Sequence, residues 1–298
     1  MRVPLSCSLS PGERAGVRVA PAQPPLHLHQ GPIDLIIRAW GTPHAVQTAY
    51  AAATAAFVHI LQTLVDELPH LRTPLPTPAP QGQNARAMHQ AVSPHTPYTI
   101  TPMAAVAGAV ADHILAAMTQ TAPLDRAYVN NGGDIAFHLA PGQTLRCGLV
   151  TDLAAPSLDA ATLLTAANPA RGIATSGRAC KGRGGRSFSL GIADSVTVLA
   201  RTAAAADAAA TIIANAVDLP GHQAVTRRPA RDIDPDTDLG DRPVTWDLGP
   251  LTPAEIDTAL DAGRRLADAL VRAGHIEGAV LALRGQFAAT SRLLLEAA

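Results

Sequence analysis

Aromatic residues make up only 3% of this 298-residue chain, and lysine occurs once, at Lys181. Proteins that bind nucleic acids generally neutralise phosphates with clustered positive charge and stack bases on aromatic rings. Because the formal net charge is -1 and few rings are available, the composition argues against general nucleic-acid binding. Hydrophobic residues still account for 47% of the chain, which predicts a core built from small and branched aliphatic side chains.

Cysteines and long apolar runs are also scarce. Cys7, Cys147 and Cys180 lie far apart without CxxC spacing, which argues against a disulfide framework or a zinc site and fits a reducing compartment. No continuous run reaches the roughly 18 apolar residues that a membrane span needs. The stretch before Cys7 lacks the apolar core of a signal peptide. The sequence therefore predicts a cytoplasmic protein with no membrane partner.

Strands and helices follow one another without strict βαβ alternation, which predicts an α+β fold of mixed β-sheets packed with amphipathic helices. Residues 1–30 are rich in proline and arginine without periodicity, so we expect a disordered extension before a single domain at 31–298. Alternation and helical spacing define the individual elements. The predicted strands are 33–39, 126–131, 135–139, 143–150, 172–174, 195–199, 244–248 and 278–283, and the predicted helices are 44–68, 84–92, 101–118, 202–217 and 253–273.

A glycine- and arginine-rich loop follows the predicted strand 172–174 and its Thr175-Ser176-Gly177 turn. Freed backbone amides and guanidinium groups can together hold a phosphate. The alternative for such a composition is a solvated, flexible linker. No acid occurs between Arg171 and Ala193, and the basic residues within the loop are Arg178, Lys181, Arg183 and Arg186.

The helix predicted at 202–217 carries Asp207 and Thr211, which are four residues apart and share one helical face. A carboxylate and a hydroxyl so placed can bind a hard cation such as magnesium. The alternative is an exposed aspartate beside a threonine that bonds to its own helix backbone.

Glycines stand inside two other predicted elements. Gly108 within the helix 101–118 predicts close approach of another backbone. Gly132-Gly133 between two strand segments indicates a bulge or a ligand that presses on the main chain.

Several segments between about residue 30 and residue 285 resemble an uncharacterised bacterial and archaeal protein family related to ApbE. ApbE-type proteins are flavin transferases, which bind FAD, use magnesium and move FMN onto a threonine of a target protein. The resemblance therefore implies an ApbE-like fold, FAD and magnesium as cofactors, and an acceptor protein as partner, and it leaves a homo-oligomer open. It is carried by TPMAAVAGAVAD, YVNNGGDIAFHL, RGIATSG, FSLGIADSVTVLA and ADAAATIIANAVDLPG.

The same resemblance implies a site, motif by motif. The Ala-Lys-Gly-x-x-x-Asp helix motif of ApbE enzymes corresponds to residues 106–112, with Ala107 in place of the lysine. Their glycine pair corresponds to Gly132-Gly133, their Thr-Ser-Gly turn to residues 175–177, and their Ala-Asp-x-x-x-Thr metal motif to residues 206–211. The implied nucleotide-contacting residues are Gly108, Asp112, Asn131, Gly132, Gly133, Asp134, Thr175, Ser176 and Gly177, and the implied metal ligands are Asp207, Thr211 and the carbonyl of Val106.

One ApbE motif has no counterpart. The His-x-x-Asp-Pro-x-x-Gly segment is replaced by an interval with no histidine and one acid, Asp194. If the chain is a magnesium-dependent FMN transferase or FAD diphosphate-cleaving enzyme, Arg183 and Arg186 are predicted to stabilise the developing charge. The alternatives are a non-catalytic flavin-binding homologue, and an unrelated enzyme that uses Cys180 or Asp194 as its reactive group.

Overall fold

In the computed structural model, residues 24–149, 160–177, 188–290 and 296–297 are described. Alternate side chains of the segment Ile33–Trp40 are buried, as expected for a strand with one face on a core. The strands are β1 (Leu26–Gln30), β2 (Ile33–Trp40), β3 (Arg126–Asn131), β4 (Asp134–Leu139), β5 (Thr144–Leu149), β6 (Ala160–Thr165), β7 (Gly172–Ser176), β8 (Ser195–Ala200), β9 (Val225–Pro229), β10 (Pro243–Leu248), β11 (Gly278–Leu283), β12 (Gln286–Ala289) and β13 (Glu296–Ala297).

Eight strands form the main sheet, in the order β1-β2-β3-β4-β7-β8-β11-β12. A smaller sheet has the order β13-β6-β5, and β9 and β10 form a separate hairpin. All strand pairs in the described ranges are antiparallel. This arrangement, with helices on one side of the main sheet, confirms the predicted α+β class.

Side-chain caps define where the longer helices begin. Thr42 and Thr202 each accept a hydrogen bond from the backbone amide three residues later, and Thr252 forms a capping box with Glu255. The helices are α1 (Pro43–Phe57), α2 (Ile60–Asp66), α3 (Leu68–Leu71), α4 (Gln83–Val92), α5 (Val106–Thr121), α6 (Ala203–Ala216) and α7 (Pro253–Arg272).

The two faces of the main sheet pack in different ways. The helix-covered face carries the larger core, which is dominated by alanine, valine, leucine and isoleucine. The opposite face packs against the small sheet through a second cluster that includes Ile135, Phe137, Leu145, Leu164 and Ile173. Because strand residues alternate between the faces, the parity of a position decides which core it joins.

Three predictions about local structure are corrected. The segment Leu26–Gln30 is not disordered but pairs with β2 along its length, while residues 1–23 lie outside the described residues. The predicted helix 44–68 is divided into α1, α2 and α3. Thr101 does not cap a helix: a 3-10 turn at Pro102–Ala105 precedes α5, and the Thr101 hydroxyl donates to the Asp238 carboxylate.

Gly132-Gly133 is neither a bulge nor an interruption of one strand. It is the two-residue turn of the β3–β4 hairpin, in which Asn131 pairs with Asp134. Gly132 and Gly133 have φ values of 66° and 120°, a region that glycine enters without the steric penalty of a Cβ. The glycine pair therefore sets the hairpin and brings Asp134 back into the sheet.

Two helical segments have the length and hydropathy of a membrane span, contrary to the prediction that no segment is apolar enough. They are Pro43–Asp66 and Pro102–Thr121, each with a mean hydropathy of 1.3 over an 18-residue window. Both segments supply buried side chains to the helix-side core, and α5 packs on β3, β4, α1 and α6. Packing inside the protein accounts for the apolar composition of α5.

Candidate functional site

Two aspartates from distant parts of the sequence meet on the helix-covered face of the main sheet. Asp134 is the first residue of β4, and Asp207 lies in the second turn of α6. Strand alternation puts Asp134 on the same face as Ala136, which belongs to the helix-side core. Both side chains are half-buried, and the charge of Asp134 acts on the Asp207 carboxyl. We call these two residues the acidic pair.

Asp207 is held by the first turn of α5. The Gly108 amide donates to Asp207 Oδ2 at 3.1 Å, and the Ala107 amide also stabilises the carboxylate. The first amides of a helix have no partner within the helix, and α5 has no capping side chain of its own. Asp207 therefore caps a helix other than the one on which it stands.

Gly108 makes this contact possible, as its position within the helix predicted. A Cβ added at Gly108 would lie 2.3 Å from the Ala203 carbonyl oxygen and 2.6 Å from the Ala204 nitrogen. The backbones of α5 and α6 thus touch at this point. The predicted close approach is confirmed, with the α6 backbone as the partner.

Asp134 is held by the neighbouring strand. The Thr175 amide donates to Asp134 Oδ1 at 3.2 Å, at the end of β7 where the Thr175-Ser176-Gly177 turn begins. The other strand of the hairpin is linked to α5, because the Asn131 side-chain amide donates to the Ala107 carbonyl oxygen at 3.1 Å. The hairpin, β7 and α5 together fix the position of Asp134 relative to Asp207.

The acidic pair binds protons unusually tightly. Burial raises the pKa of Asp134 from 3.8 to about 7, against the opposing effect of the Thr175 amide. The pKa of Asp207 is raised well above its ordinary value, first by burial and next by the negative charge of Asp134. The amides of Gly108 and Ala107 oppose this shift without cancelling it. Ionisation of both carboxyl groups is therefore costly unless a positive charge lies close to them.

No described basic side chain supplies that positive charge. The ion pairs within the described ranges involve other carboxylates, and none includes Asp134 or Asp207. Nor do the same ranges contain a cluster of three or more His, Cys, Asp and Glu side chains. The acidic pair is thus a small, oxygen-only site, whose chemistry suits a proton or a hard cation.

Thr211 lies one turn beyond Asp207 and is half-buried. Other helical threonines, such as Thr54, Thr119 and Thr258, donate to carbonyl oxygens of their own helices. The Thr211 hydroxyl has no hydrogen bond to any part of the chain that the structure describes, so the alternative of a threonine side chain bonded to its own helix does not apply. Its hydroxyl is free to contact an ion beside Asp207. Val106, the third predicted metal ligand, is the first residue of α5.

The Thr175-Ser176-Gly177 turn divides between the two faces of the sheet. The Thr175 hydroxyl forms a hydrogen bond with the Thr197 hydroxyl at 2.9 Å, whereas Ser176 alternates onto the face of Ala174 and the helix-side core. A Cβ on Gly177, whose φ is 127°, would lie 2.7 Å from the Asp194 carbonyl oxygen. The Thr175 amide and the Ser176 side chain are therefore available on the helix-side face. Gly177, which has no Cβ, allows this turn to contact the backbone of Asp194.

Gly132 projects away from this packing. It is exposed, and a Cβ built on it would meet no atom within 4 Å. The Gly133 amide is already used by the Asn130 side-chain oxygen at 2.8 Å. The open surface beside the acidic pair is therefore the main chain at Gly132.

Two predicted site residues have structural contacts. Both oxygens of Asp112 accept amides at the start of α6, and its contact with a nucleotide stays a prediction. Asp194 accepts the Arg284 amide at 2.5 Å, in a β11–β12 turn where Arg284 has a φ of 49°. Its predicted catalytic role has no contact with the acidic pair to support it. Arg183 and Arg186 lie outside the described residues.

The proximity of Asp134 and Asp207 was missed from the sequence. The resemblance assigned Asp134 to nucleotide contact and Asp207 to metal binding, 73 positions apart. The available signal was strand alternation, which places Asp134, Ala136 and His138 on one face of β4. Alternation does not show which helix covers that face, so it could not identify Asp207 as the neighbour.

Comparison with known proteins agrees with the motifs. The family model described as AbpE bacteria matches residues 17–289, and the chain belongs to this ApbE-like family. Similar curated proteins are UPF0280 proteins: one from Methanospirillum hungatei is 36% identical over 128 residues, which is 43% of this chain and 50% of the relative. One from Methanothrix thermoacetophila is 41% identical over 40% of this chain and 47% of the relative. The chain thus spans about half the length of these relatives.

A longer match is to a UPF0280 protein from Methanoregula boonei, which is 34% identical over 56% of this chain and 69% of the relative. Among solved structures, the chain is similar to a mutant of the flavin transferase ApbE from Vibrio cholerae, with 12% identity and a TM-score of 0.39 over 91% of this chain and 98% of that one.

Proposed function

We propose that this protein binds a flavin nucleotide, FAD, together with magnesium at the acidic pair, and that it acts as an ApbE-like FMN transferase or FAD diphosphate-cleaving enzyme. The observation that carries the proposal is the pairing of Asp134 with Asp207 at a half-buried position without a described basic partner. Two neighbouring carboxylates of this kind remain ionised only with a cation between or beside them.

The donor atoms favour magnesium over a softer metal. Asp134 and Asp207 offer carboxylate oxygens, Thr211 offers a hydroxyl, and no cysteine or histidine of the described residues joins them. Magnesium prefers oxygen ligands, is bound by one or two carboxylates, and usually completes its shell with waters and substrate phosphates. When bound, the ion would polarise the diphosphate and neutralise charge on the leaving phosphate.

Support for a nucleotide comes from the surface beside the pair and from the family. Gly132 leaves an open stretch of main chain next to Asp134, and Ser176 lies on the same face of the sheet. The resemblance to ApbE assigns both segments to flavin nucleotide contact. The role proposed for these residues is to bind and orient FAD, while Asp134 and Asp207 hold its diphosphate through the ion.

A non-catalytic binder is the second candidate function. Ala107 replaces the lysine of the ApbE helix motif, so this position has no side-chain positive charge. The His-x-x-Asp-Pro-x-x-Gly segment is missing as well, so activity would depend on Arg183 and Arg186. A protein that kept the acidic pair and the open hairpin would still bind FAD without transferring FMN to an acceptor protein.

Calorimetric titration of the purified full chain with FAD, in magnesium and then in EDTA, tests the binding proposal. We expect binding in magnesium and a loss of at least ~10-fold in EDTA, the equivalent of one charge-assisted contact. Asp134→Asn should reproduce that loss in magnesium, and the exposed Asp257→Asn is the control for the same chemical change. Equal FAD affinity in magnesium and EDTA would exclude the proposed cation site, and no heat at all would exclude the nucleotide.

Chromatographic detection of AMP separates the two candidate functions. An enzyme should release AMP from FAD in magnesium, and Arg183→Ala or Arg186→Ala should lower the rate by ~100- to 1,000-fold while FAD still binds. AMP release no faster than in the absence of protein, with FAD demonstrably bound, would establish the non-catalytic binder instead.

A further inference from the structure

Helices α5 and α6 cap each other through aspartates. The amides of Ala203 and Ala204, at the start of α6, donate to the two oxygens of Asp112 on α5, both at 2.9 Å. In return the amide of Gly108, at the start of α5, donates to Asp207 on α6 at 3.1 Å. Each helix therefore supplies the carboxylate that the other lacks.

The spacing within the two helices explains the reciprocity. Asp112 stands four residues after Gly108, and Asp207 stands four residues after Ala203, so each carboxylate lies one turn beyond its own helix's contact point. That contact point is shared, because Gly108 packs directly against the Ala203 backbone. A shift of one helix along the other would break both sets of hydrogen bonds together.

The start of α6 has two caps of different kinds. Thr202 accepts the Ala205 amide at 3.1 Å, but it belongs to the same chain segment as α6 and moves with it. Asp112 binds the two amides that Thr202 does not reach, and it stands on α5. Of these two caps, only Asp112 links the start of α6 to α5, which in turn contacts the hairpin through Asn131.

We propose that Asp112 is a positioning residue for the acidic pair: by fixing the first turn of α6 against α5, it sets the place of Asp207 relative to Asp134. This inference rests on the proposed magnesium site. Both oxygens of Asp112 accept backbone amides of α6, so the role assigned to it is to hold that helix. Its hydrogen bonds act on the site through the position of Asp207, four residues after Ala203. Its negative charge also acts on the Asp207 carboxyl, so Asp112→Asn, which removes the charge but keeps an acceptor oxygen, separates the two effects.

Asp112→Ala and Thr202→Ala form a matched pair for the test. Each variant removes one side-chain cap from the same end of α6, so both should lower the unfolding midpoint. We expect Asp112→Ala to raise the magnesium dissociation constant, measured by calorimetry, by ~10- to 100-fold, the range for residues that orient metal ligands. Thr202→Ala should leave it within about 3-fold, because the bond between α5 and α6 remains. Asp112→Asn, which keeps one acceptor oxygen, should be intermediate and also serves if the alanine variant does not fold.

Amide hydrogen exchange at Gly108 in EDTA gives a readout that does not need the metal. Exchange of the Gly108 amide should accelerate in Asp112→Ala and not in Thr202→Ala. Only in Asp112→Ala is Asp207 expected to move away from the Gly108 amide and to lose that hydrogen bond. Equal effects of the two variants on magnesium affinity and on Gly108 exchange would overturn the positioning role and leave Asp112 as a cap alone. A wild-type chain that binds no magnesium would refute the proposed function instead, and Gly108 exchange would still decide whether Asp112 positions Asp207.

Discussion

Replacing Gly108 with alanine tests the helix contact on which the acidic pair depends. The new Cβ would lie 2.3 Å from the Ala203 carbonyl oxygen, 2.4 Å from its carbonyl carbon and 2.6 Å from the Ala204 nitrogen. All three are backbone atoms of α6, so no side-chain rotation can make room. The helices must separate, and the hydrogen bond from Gly108 to Asp207 must stretch or break.

Three terms set the size of the effect, one favourable and two unfavourable. Alanine favours a helix over glycine by up to ~1 kcal/mol, whereas an extra carbon in a packed core costs ~1–3 kcal/mol. Loss of the bond to the Asp207 carboxylate adds ~1.5 kcal/mol or more. Because rigid backbone places the clash at the upper end, we expect a net destabilisation of about 3–4 kcal/mol.

Gly263 in α7 provides the matched control. A Cβ there would meet Val217 Cγ2 at 2.4 Å and Leu281 Cδ2 at 2.7 Å, which are side-chain atoms, although both residues are fully buried. Gly263→Ala has the same gain in helix propensity and keeps all helix-capping bonds, so we expect a cost of up to ~2 kcal/mol, smaller than that of Gly108→Ala. Urea unfolding followed by circular dichroism measures both variants in EDTA. Equal stability of Gly108→Ala and Gly263→Ala would refute the argument that the α5 and α6 backbones are locked together here.

Two further predictions concern charge. Burial raises the pKa of Asp134 to about 7 and that of Asp207 above its ordinary value. Their contribution to folding is therefore fully present below the unfolded pKa of about 4 and is lost as the pH rises through about 7. We expect the urea midpoint measured in EDTA to decrease as the pH is raised from about 5 to about 8, and an unchanged slope in Asp134→Asn would contradict this. The Arg227 guanidinium binds both Asp218 oxygens at 2.6 and 2.7 Å, linking the β9–β10 hairpin to the end of α6; Asp218→Asn should cost ~1.5–3 kcal/mol of unfolding free energy, whereas the exposed Asp247→Asn on β10 should leave it unchanged.

The elements with strong local signals could be predicted from the sequence. Residues 202–217 lack glycine and proline and end before Pro220, and α6 occupies Ala203–Ala216. Alternation in Ile33–Trp40 and the β-branched run in β8 gave strands within one or two residues of those observed. β1 was missed because its proline- and histidine-rich neighbourhood resembles a tail, and its pairing with β2 is a contact that the sequence does not encode locally.

The site was predictable only in part, because its key relationships cross the fold. The i,i+4 spacing identified Asp207 and Thr211, and Gly108 correctly indicated a close backbone contact. The partner of Gly108, the capping of α6 by Asp112 and the meeting of Asp134 with Asp207 join residues about 70 to 100 positions apart. Nothing in the spacing of those residues indicates such contacts, since they depend on how β4 and α5 stack on α6.

Asp207 has two functions in this arrangement, and the choice of substitution separates them. It caps α5 through the Gly108 amide, which needs only an acceptor oxygen, and it carries negative charge beside Asp134, which a cation needs. Asp207→Asn can still accept the Gly108 amide but has no negative charge. Because its repulsion with Asp134 is gone, this variant should be at least as stable as the wild type in EDTA near pH 8. It should nevertheless bind FAD equally well in magnesium and in EDTA. Asp207→Ala loses both functions and should be less stable under either condition. If Asp207→Asn kept the response of FAD binding to magnesium, the ion would have to lie elsewhere, and Asp207 would be a helix cap and nothing more.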